Sequence, residues 1–270
     1  MPKITLNKKD TLKLIGKAIS DKQLSGAIPL IGTDLEKITK NEIEVEIFPN
    51  RPDMLSEEGF ARALSSFLGI KTGLKAYKVN KSNYKYKVDS KVKRIRPYCT
   101  AAIVKGLKFD KVSLAAIMNL QDKLHTTHGR NRKKVAMGVH DLSKIKFPLT
   151  YTTKPKSFKF RALEDKQEKT IQKILEEHPK GKDYAHLLNK SEVPIWMDAN
   201  NQVLSMPPII NSEETKVTLN TKEVFLDITG TDPIAMDQAL NILVTALADR
   251  GGKIYTVNKT PNLNPKKIKI

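Results

Sequence analysis

Two segments of this chain set polar groups and one carboxylate beside short apolar runs. The first reads V-L-S-M-P-P-I-I-N-S from Val203 to Ser212, and the second F-L-D-I-T-G-T-D from Phe225 to Asp232. In Val224–Thr229 the aliphatic Val224, Leu226 and Ile228 alternate with Phe225, Asp227 and Thr229. A strand sends alternate side chains to opposite faces, so Asp227 and Thr229 share a face about 7 Å apart. Such a wall suits a pocket that recognises a polar atom. It also suits the wet side of a half-buried sheet, which is the commoner arrangement, and the pattern allows both.

The elements that must position these groups fall into two blocks. Asp10 is the expected cap of a short helix carrying Leu12, Ile15 and Ile19 on one side. Ile43, Val45 and Ile47 alternate with acids as in a strand. Ser56 caps a helix with Glu57 and Glu58 in its first turn and Phe60, Leu64, Phe67 and Leu68 as its buried stripe, ended by Gly69. Residues 1–75 are therefore expected to form a small α/β module. The lysine-rich residues 76–96 read as an extended crossing, and 97–258 as a larger second domain. There Tyr98–Lys105 and Val135–Leu142 are expected strands, Ser113 the cap of a helix through Leu124, and Ile171, Ile174 and Leu175 part of another helix. Asp232 as N-cap with Pro233 at the first helical position starts the clearest helix, which Gly251-Gly252 stop. The class expected is α+β, a small N-terminal module followed by mixed sheets with flanking helices.

Composition narrows the function. Hydrophobic residues are 39% and charged residues 29% of the 270, as in a folded soluble protein. No apolar run approaches the roughly 20 residues of a membrane span, and the start has no apolar signal core, so a cytoplasmic setting without membrane contact is expected. Cys99 is the single cysteine, which excludes intrachain disulfides and cysteine-rich zinc sites, and it reads as a small buried hydrophobe. The net charge of +19 points to a polyanion, nucleic acid first. Arg130, Arg132, Lys133 and Lys134 form the densest cluster, expected on a mobile, exposed loop suited to phosphates. No phosphate-binding glycine loop, nucleophile elbow or His-Glu-x-x-His is present, and the histidines lack metal-ligand spacing. His140-Asp141 reads as a satisfied turn in preference to a catalytic pair.

Four blocks also carry a resemblance. Asn50-Arg51-Pro52-Asp53-Met54-Leu55-Ser56 with Glu58–Leu64 is similar to a signature of the phenylalanyl-tRNA synthetase β subunit. Lys133–Leu142, Pro207–Ser212 and Asp227–Asp232 are similar to the archaeal and eukaryotic branch of that family, in the family's order. The resemblance implies that 97–258 is an editing domain hydrolysing mischarged Tyr-tRNA(Phe). It implies tRNA(Phe) and the α subunit of an α2β2 heterotetramer as partners. ATP and Mg2+ are expected for the complete synthetase, with no cofactor or metal in this chain. Family β chains continue past residue 270, so 259–270 are expected to begin a further module. Two alternatives stay open: a non-catalytic tRNA-binding arm of the tetramer, and a free-standing trans-editing deacylase.

The resemblance also assigns roles. A pocket shaped for phenylalanine rejects an added hydroxyl by only about 100-fold. A second site that hydrogen-bonds the hydroxyl discriminates the other way, because phenylalanine leaves its acceptor unpaired at about 1–3 kcal/mol. Asp227 is the expected acceptor, with Ser205 and Thr229 framing ring and hydroxyl. Otherwise Ser205 is a turn hydroxyl and Thr229 an ordinary β-former. Pro207 and Pro208 make a stiff wall for an aromatic ring. Trp196 lines the pocket or sits in the core. Asn211 offers donor and acceptor near the ester and is the expected catalytic residue, or else a turn residue. An ester is already activated, so a positioned water and a stabilised oxyanion suffice, and no general base is named.

Overall fold

Alternation decides the first sheet. In the computed structural model, which describes residues 2–260, Ile4 and Leu6 of β1 (Lys3–Asn7) point into a core with Ile43, Val45 and Ile47 of β3. β3 (Glu42–Ile47) lies between β1 and β2 (Thr33–Ile38), antiparallel to both. α1 (Lys8–Ile15) begins one turn earlier than expected: Asn7 Oδ1 accepts the Asp10 amide at 2.9 Å, so Asp10 is inside the helix and not its cap. Ile19 falls outside α1, where Ser20 and Gln23 box the start of α2 (Asp21–Ala27). Ser56 does cap α3 (Glu57–Phe67), accepting the Gly59 amide.

Two mixed sheets follow. The crossing segment is paired in two short stretches, giving β4 (Val79–Asn80) to one sheet and β5 (Lys85–Val88) to the other. The first sheet also holds β6 (Tyr98–Lys105) and, after α4 (Lys111–Thr126), β7 (Val135–Asp141). α4 is capped by Asp110, with Ser113 at the third helical position answering it; Ser113 is the partner of the cap and not the cap. The second sheet gains β8 (Leu149–Pro155). A small pair, β9 (Lys159–Phe160) and β10 (Lys169–Thr170), leads into α5 (Ile171–Glu177) and α6 (Pro179–Tyr184). β11 (Glu192–Met197), β12 (Val203–Met206) and β13 (Ile210–Asn211) then extend the second sheet. β14 (Glu223–Gly230), α7 (Pro233–Asp249), β15 (Lys253–Thr256) and β16 (Asn258–Thr260) complete the described chain. The orders are β4-β15-β6-β14-β7 and β13-β12-β11-β8-β5-β16. Of the expected start of a further module, residues 261–270 lie outside the described residues.

β14 is buried on both faces, so its Asp227 side is no wet surface. Val224, Leu226 and Ile228 pack with α4 and α7 in a core that is continuous with the N-terminal block. Phe225 packs the other way against the second sheet, with Tyr86, Tyr151 and Trp196. Arg62 and Arg250 tie the blocks together, pairing with Asp249 and Asp10 at 2.7 Å each.

Candidate functional site

A cleft of about 390 Å³ opens between α4, β7 and the β12–β13 hairpin. Its walls are largely apolar, including Met118, Met137, Val139, Pro207, Pro208 and Ile210. Asp227 reaches it from β14, 2% exposed. Its Oδ2 accepts from Ser205 Oγ at 2.8 Å and from His140 Nε2 at 2.9 Å. A carboxylate oxygen only accepts, so His140 carries its proton on Nε2, and in a neutral ring Nδ1 accepts from the Thr215 hydroxyl, 2.8 Å away. Both bonds converge on one oxygen, which leaves Oδ1 of Asp227 without a hydrogen bond among the described residues.

β-pairing explains this cluster. Asp227 stands directly opposite Gly138 on β7, and Phe225 opposite His140. His140 is thus the diagonal neighbour of Asp227 on the same face. A Cβ at position 138 would lie 2.5 Å from His140 Nε2, 2.8 Å from Asp227 Oδ2 and 3.0 Å from Asn211 Oδ1. Only glycine lets three polar side chains meet over this point.

β7 is an edge strand, and the alternation of an antiparallel ladder turns the backbone groups of Met137 and Val139 away from β14. Helix α4 plugs the Met137 groups: Gln121 donates to the carbonyl and His125 Nε2 accepts the amide, both at 2.8 Å. Asn211 Nδ2 donates to the Val139 carbonyl over 3.4 Å, a long bond. The Val139 amide, facing the cleft, finds no acceptor among the described residues.

Ser205, Pro207, Pro208, Asn211 and Asp227 therefore come together on one cleft. Two expected neighbours do not. Thr229 shares the face of Asp227, but Arg96 takes it up: Nε donates to Thr229 Oγ1 and Nη2 to Thr229 O, each at 2.8 Å. Trp196 belongs to the core between the sheets, fully buried and stacked on Tyr151 with ring centroids 5.0 Å apart. Cys99 is half-buried on β6.

The basic cluster also differs from the expected mobile loop. Arg130, Asn131 and Arg132 form a left-handed run, with φ of 48°, 51° and 64°. Backbone bonds pin it, from Arg132 N to His125 O at 2.9 Å and Lys134 N to Gly129 O at 2.8 Å. Arg132 turns inward, 8% exposed, with Nη1 donating to Ile209 O at 2.6 Å and its guanidinium over the Tyr184 ring. Arg130 and Lys133 face outward, while Lys134 pairs with Asp232 at 2.9 Å. Behind the turn, Arg96 Nη2 and Nη1 donate to the carbonyls of Arg132 and Lys133. Burial pushes the Arg96 guanidinium down to about 10.

His140 corrects the turn reading: it is fully buried and bonded to Asp227, while Asp141 caps the turn through Ser143. One signal was available, since Gly138 and His140 share a parity on one strand. Arg96 and His125 left no such signal. No group of three or more His, Cys, Asp or Glu among the described residues is arranged to hold a metal ion.

Residues 81–260 match the B3/4 domain family. The chain is 43% identical to the phenylalanine–tRNA ligase β subunit of Archaeoglobus fulgidus over its whole length, covering 50% of that protein. It is 44% identical to the Methanocaldococcus jannaschii β subunit over 95% of its length, covering 48% of that protein. A crystal structure of an N-terminal fragment of the Pyrococcus horikoshii phenylalanyl-tRNA synthetase β subunit superposes with a TM-score of 0.92 at 42% identity. That match covers 98% of this chain and 81% of the fragment. The chain belongs to the phenylalanyl-tRNA synthetase β-subunit family. It spans about half the length of the curated relatives it matches. Those relatives are subunits of a phenylalanine–tRNA ligase. No helix among the described residues is long and apolar enough to cross a membrane.

Proposed function

We propose that the cleft removes tyrosine from mischarged tRNA(Phe) by hydrolysing the aminoacyl ester. One observation carries the reading: a buried carboxylate at the bottom of an apolar cleft, both of whose donors converge on a single oxygen. The phenol of tyrosine donates to Oδ1 of Asp227, and Pro207 and Pro208 flank its ring. Ser205 and His140 hold the carboxylate in place. Phenylalanine would leave Oδ1 desolvated and unpaired, at about 1–3 kcal/mol. Toward the mouth, the Val139 amide offers a donor to the developing oxyanion, and Asn211 is within reach of the ester and its water.

The complete assembly would add phenylalanine activation, with ATP and Mg2+, on an α subunit in an α2β2 heterotetramer; in the cell it would act in the cytoplasm. Residues 1–75 would serve as a module beside the editing domain at 97–258, with Arg130, Lys133 and Lys134 on the tRNA side. Asp227→Ala tests the reading in a deacylation assay with Tyr-tRNA(Phe) and Phe-tRNA(Phe). Selectivity is expected to fall about 100-fold, the worth of a hydrogen bond to a buried charge. Undiminished preference for the tyrosyl ester would reject the assignment. Binding of Tyr-tRNA(Phe) by the unaltered chain without turnover would favour a tRNA-binding arm instead.

A further inference from the structure

The lining of the same cleft includes two residues with polar hydrogens that the fold leaves without an acceptor. His125 Nε2 accepts the Met137 amide, so the proton of its ring sits on Nδ1. That Nδ1 is buried and has no hydrogen-bond partner among the described residues. The Nε of Arg132, lining the cleft beside it, is in the same condition. Native proteins leave few buried donors unpaired, because each costs about 1–3 kcal/mol.

The charge here is also open. Asp122, with its side chain 66% exposed, keeps Oδ1 3.9 Å from Arg132 Nη2 and 4.0 Å from His125 Nδ1. Neither distance is a hydrogen bond. Lys180, half-buried on the same lining, makes no ion pair among the described residues. Two cations and two idle donors thus converge beside the exposed Asp122, with Glu164 on the lining and Asp183 acting on Arg132 as the other acids nearby, none of them bonded to either donor.

We propose that this corner is a phosphate subsite, in which His125 Nδ1–H and Arg132 Nε–H bind the phosphate of the nucleotide that carries the ester. The proposal rests on the deacylation reading for the identity of that nucleotide. Lys180 adds a second charge, and Asp122 swings into solvent when the phosphate arrives. A carbonyl would satisfy one donor; a phosphate offers several anionic acceptors and answers both donors and both charges. The subsite fixes the RNA end so that the aminoacyl group extends along the cleft toward Asp227.

The test titrates the 270-residue chain with AMP, inorganic phosphate and adenosine, following the imidazole resonances by 1H–15N NMR. AMP and phosphate are expected to move His125 Nδ1, and adenosine to leave it in place. Lys180→Ala should weaken AMP about fivefold, and Asp122→Asn should tighten it about threefold, with adenosine unaffected by either. The subsite is overturned if AMP and adenosine bind alike, if His125 ignores phosphate, or if neither substitution changes AMP affinity. A phosphate response in a chain that hydrolyses no ester would remove the deacylation reading and leave the subsite standing. Ester hydrolysis with no phosphate response would do the reverse.

Discussion

One arginine lies behind the turn at 129–134 and another within it, both buried, and they are used in opposite ways. Arg96 lies behind it, 4% exposed, with every guanidinium nitrogen donating to Thr229 or to the carbonyls of Arg132 and Lys133. Arg132 lies in the turn, with Nη1 on the carbonyls of Pro208 and Ile209, Nε idle and the cleft beside it. A cation whose every guanidinium nitrogen is bonded within its own chain holds structure. One with a donor left over at a cleft can bind something else. The burial of the two is similar, so hydrogen-bond satisfaction separates them.

Stability measurements can break this contrast. Arg96→Leu strands three carbonyls and a hydroxyl, and should cost about 3 kcal/mol or more in urea unfolding. Arg132→Leu strands two carbonyls instead of three and a hydroxyl, and removes a charge with no bonded carboxylate, so a smaller loss of about 1–2 kcal/mol is expected. Equal losses would mean that Arg132 is as structural as Arg96.

Next in size is Gly138→Ala. A methyl there meets His140, Asp227 and Asn211 together, and overpacking of this kind costs about 1–3 kcal/mol. With those groups at the proposed recognition end, deacylation should fall more than stability does. A stable variant with full activity would show that their convergence over Gly138 is not needed.

The sequence made some of this legible and hid the rest for physical reasons. β14, β6 and α7 announce themselves through local signals: alternation in Val224–Thr229 and the Asp232-Pro233 start. Asp227 was legible because it is a carboxylate inside an apolar run. Its partner His140 was not, because the bond spans 87 positions and depends on Asp227 facing Gly138 in the register of two strands. β11 was hidden by Pro194, which ordinarily argues against an inner strand. Here β12 pairs with β11 only at Trp196 and Met197, so Pro194 has β8 alone as its neighbour. The left-handed backbone of Arg130–Arg132 turned one arginine of a basic run inward, which charge counting cannot reveal.

A smaller effect sharpens the line between sealed and open groups on the strand β14 itself. Thr229 serves Arg96, and Ser205 serves Asp227. Thr229→Val should cost about 1 kcal/mol of stability and leave the Tyr-over-Phe preference unchanged. Ser205→Ala should reduce that preference about tenfold, the low end of the worth of a hydrogen bond to a charged group. If Thr229→Val shifts selectivity as much as Ser205→Ala, then Thr229 acts in the cleft through some path other than direct contact.

The least of the expected effects concerns His125. Burial holds its ring well below the ordinary 6.5, and the Arg132 charge adds to this more than that of Arg96 does. The folded protein therefore keeps His125 neutral while the unfolded chain takes up a proton as pH falls below 6.5. The unfolded state then binds more protons, so stability is complete above that value and declines on acidification, by at most about 1.4 kcal/mol per pH unit. Urea unfolding at pH 7.5, 6.5 and 5.5 should show a shallower acid loss for His125→Gln than for the parent chain. Arg132→Leu should lie between them, since removing the nearer charge lets His125 protonate more readily in the fold. Parallel pH profiles for all three proteins would mean that the charge of Arg132 does not reach His125, and the open corner would lose its electrostatic basis.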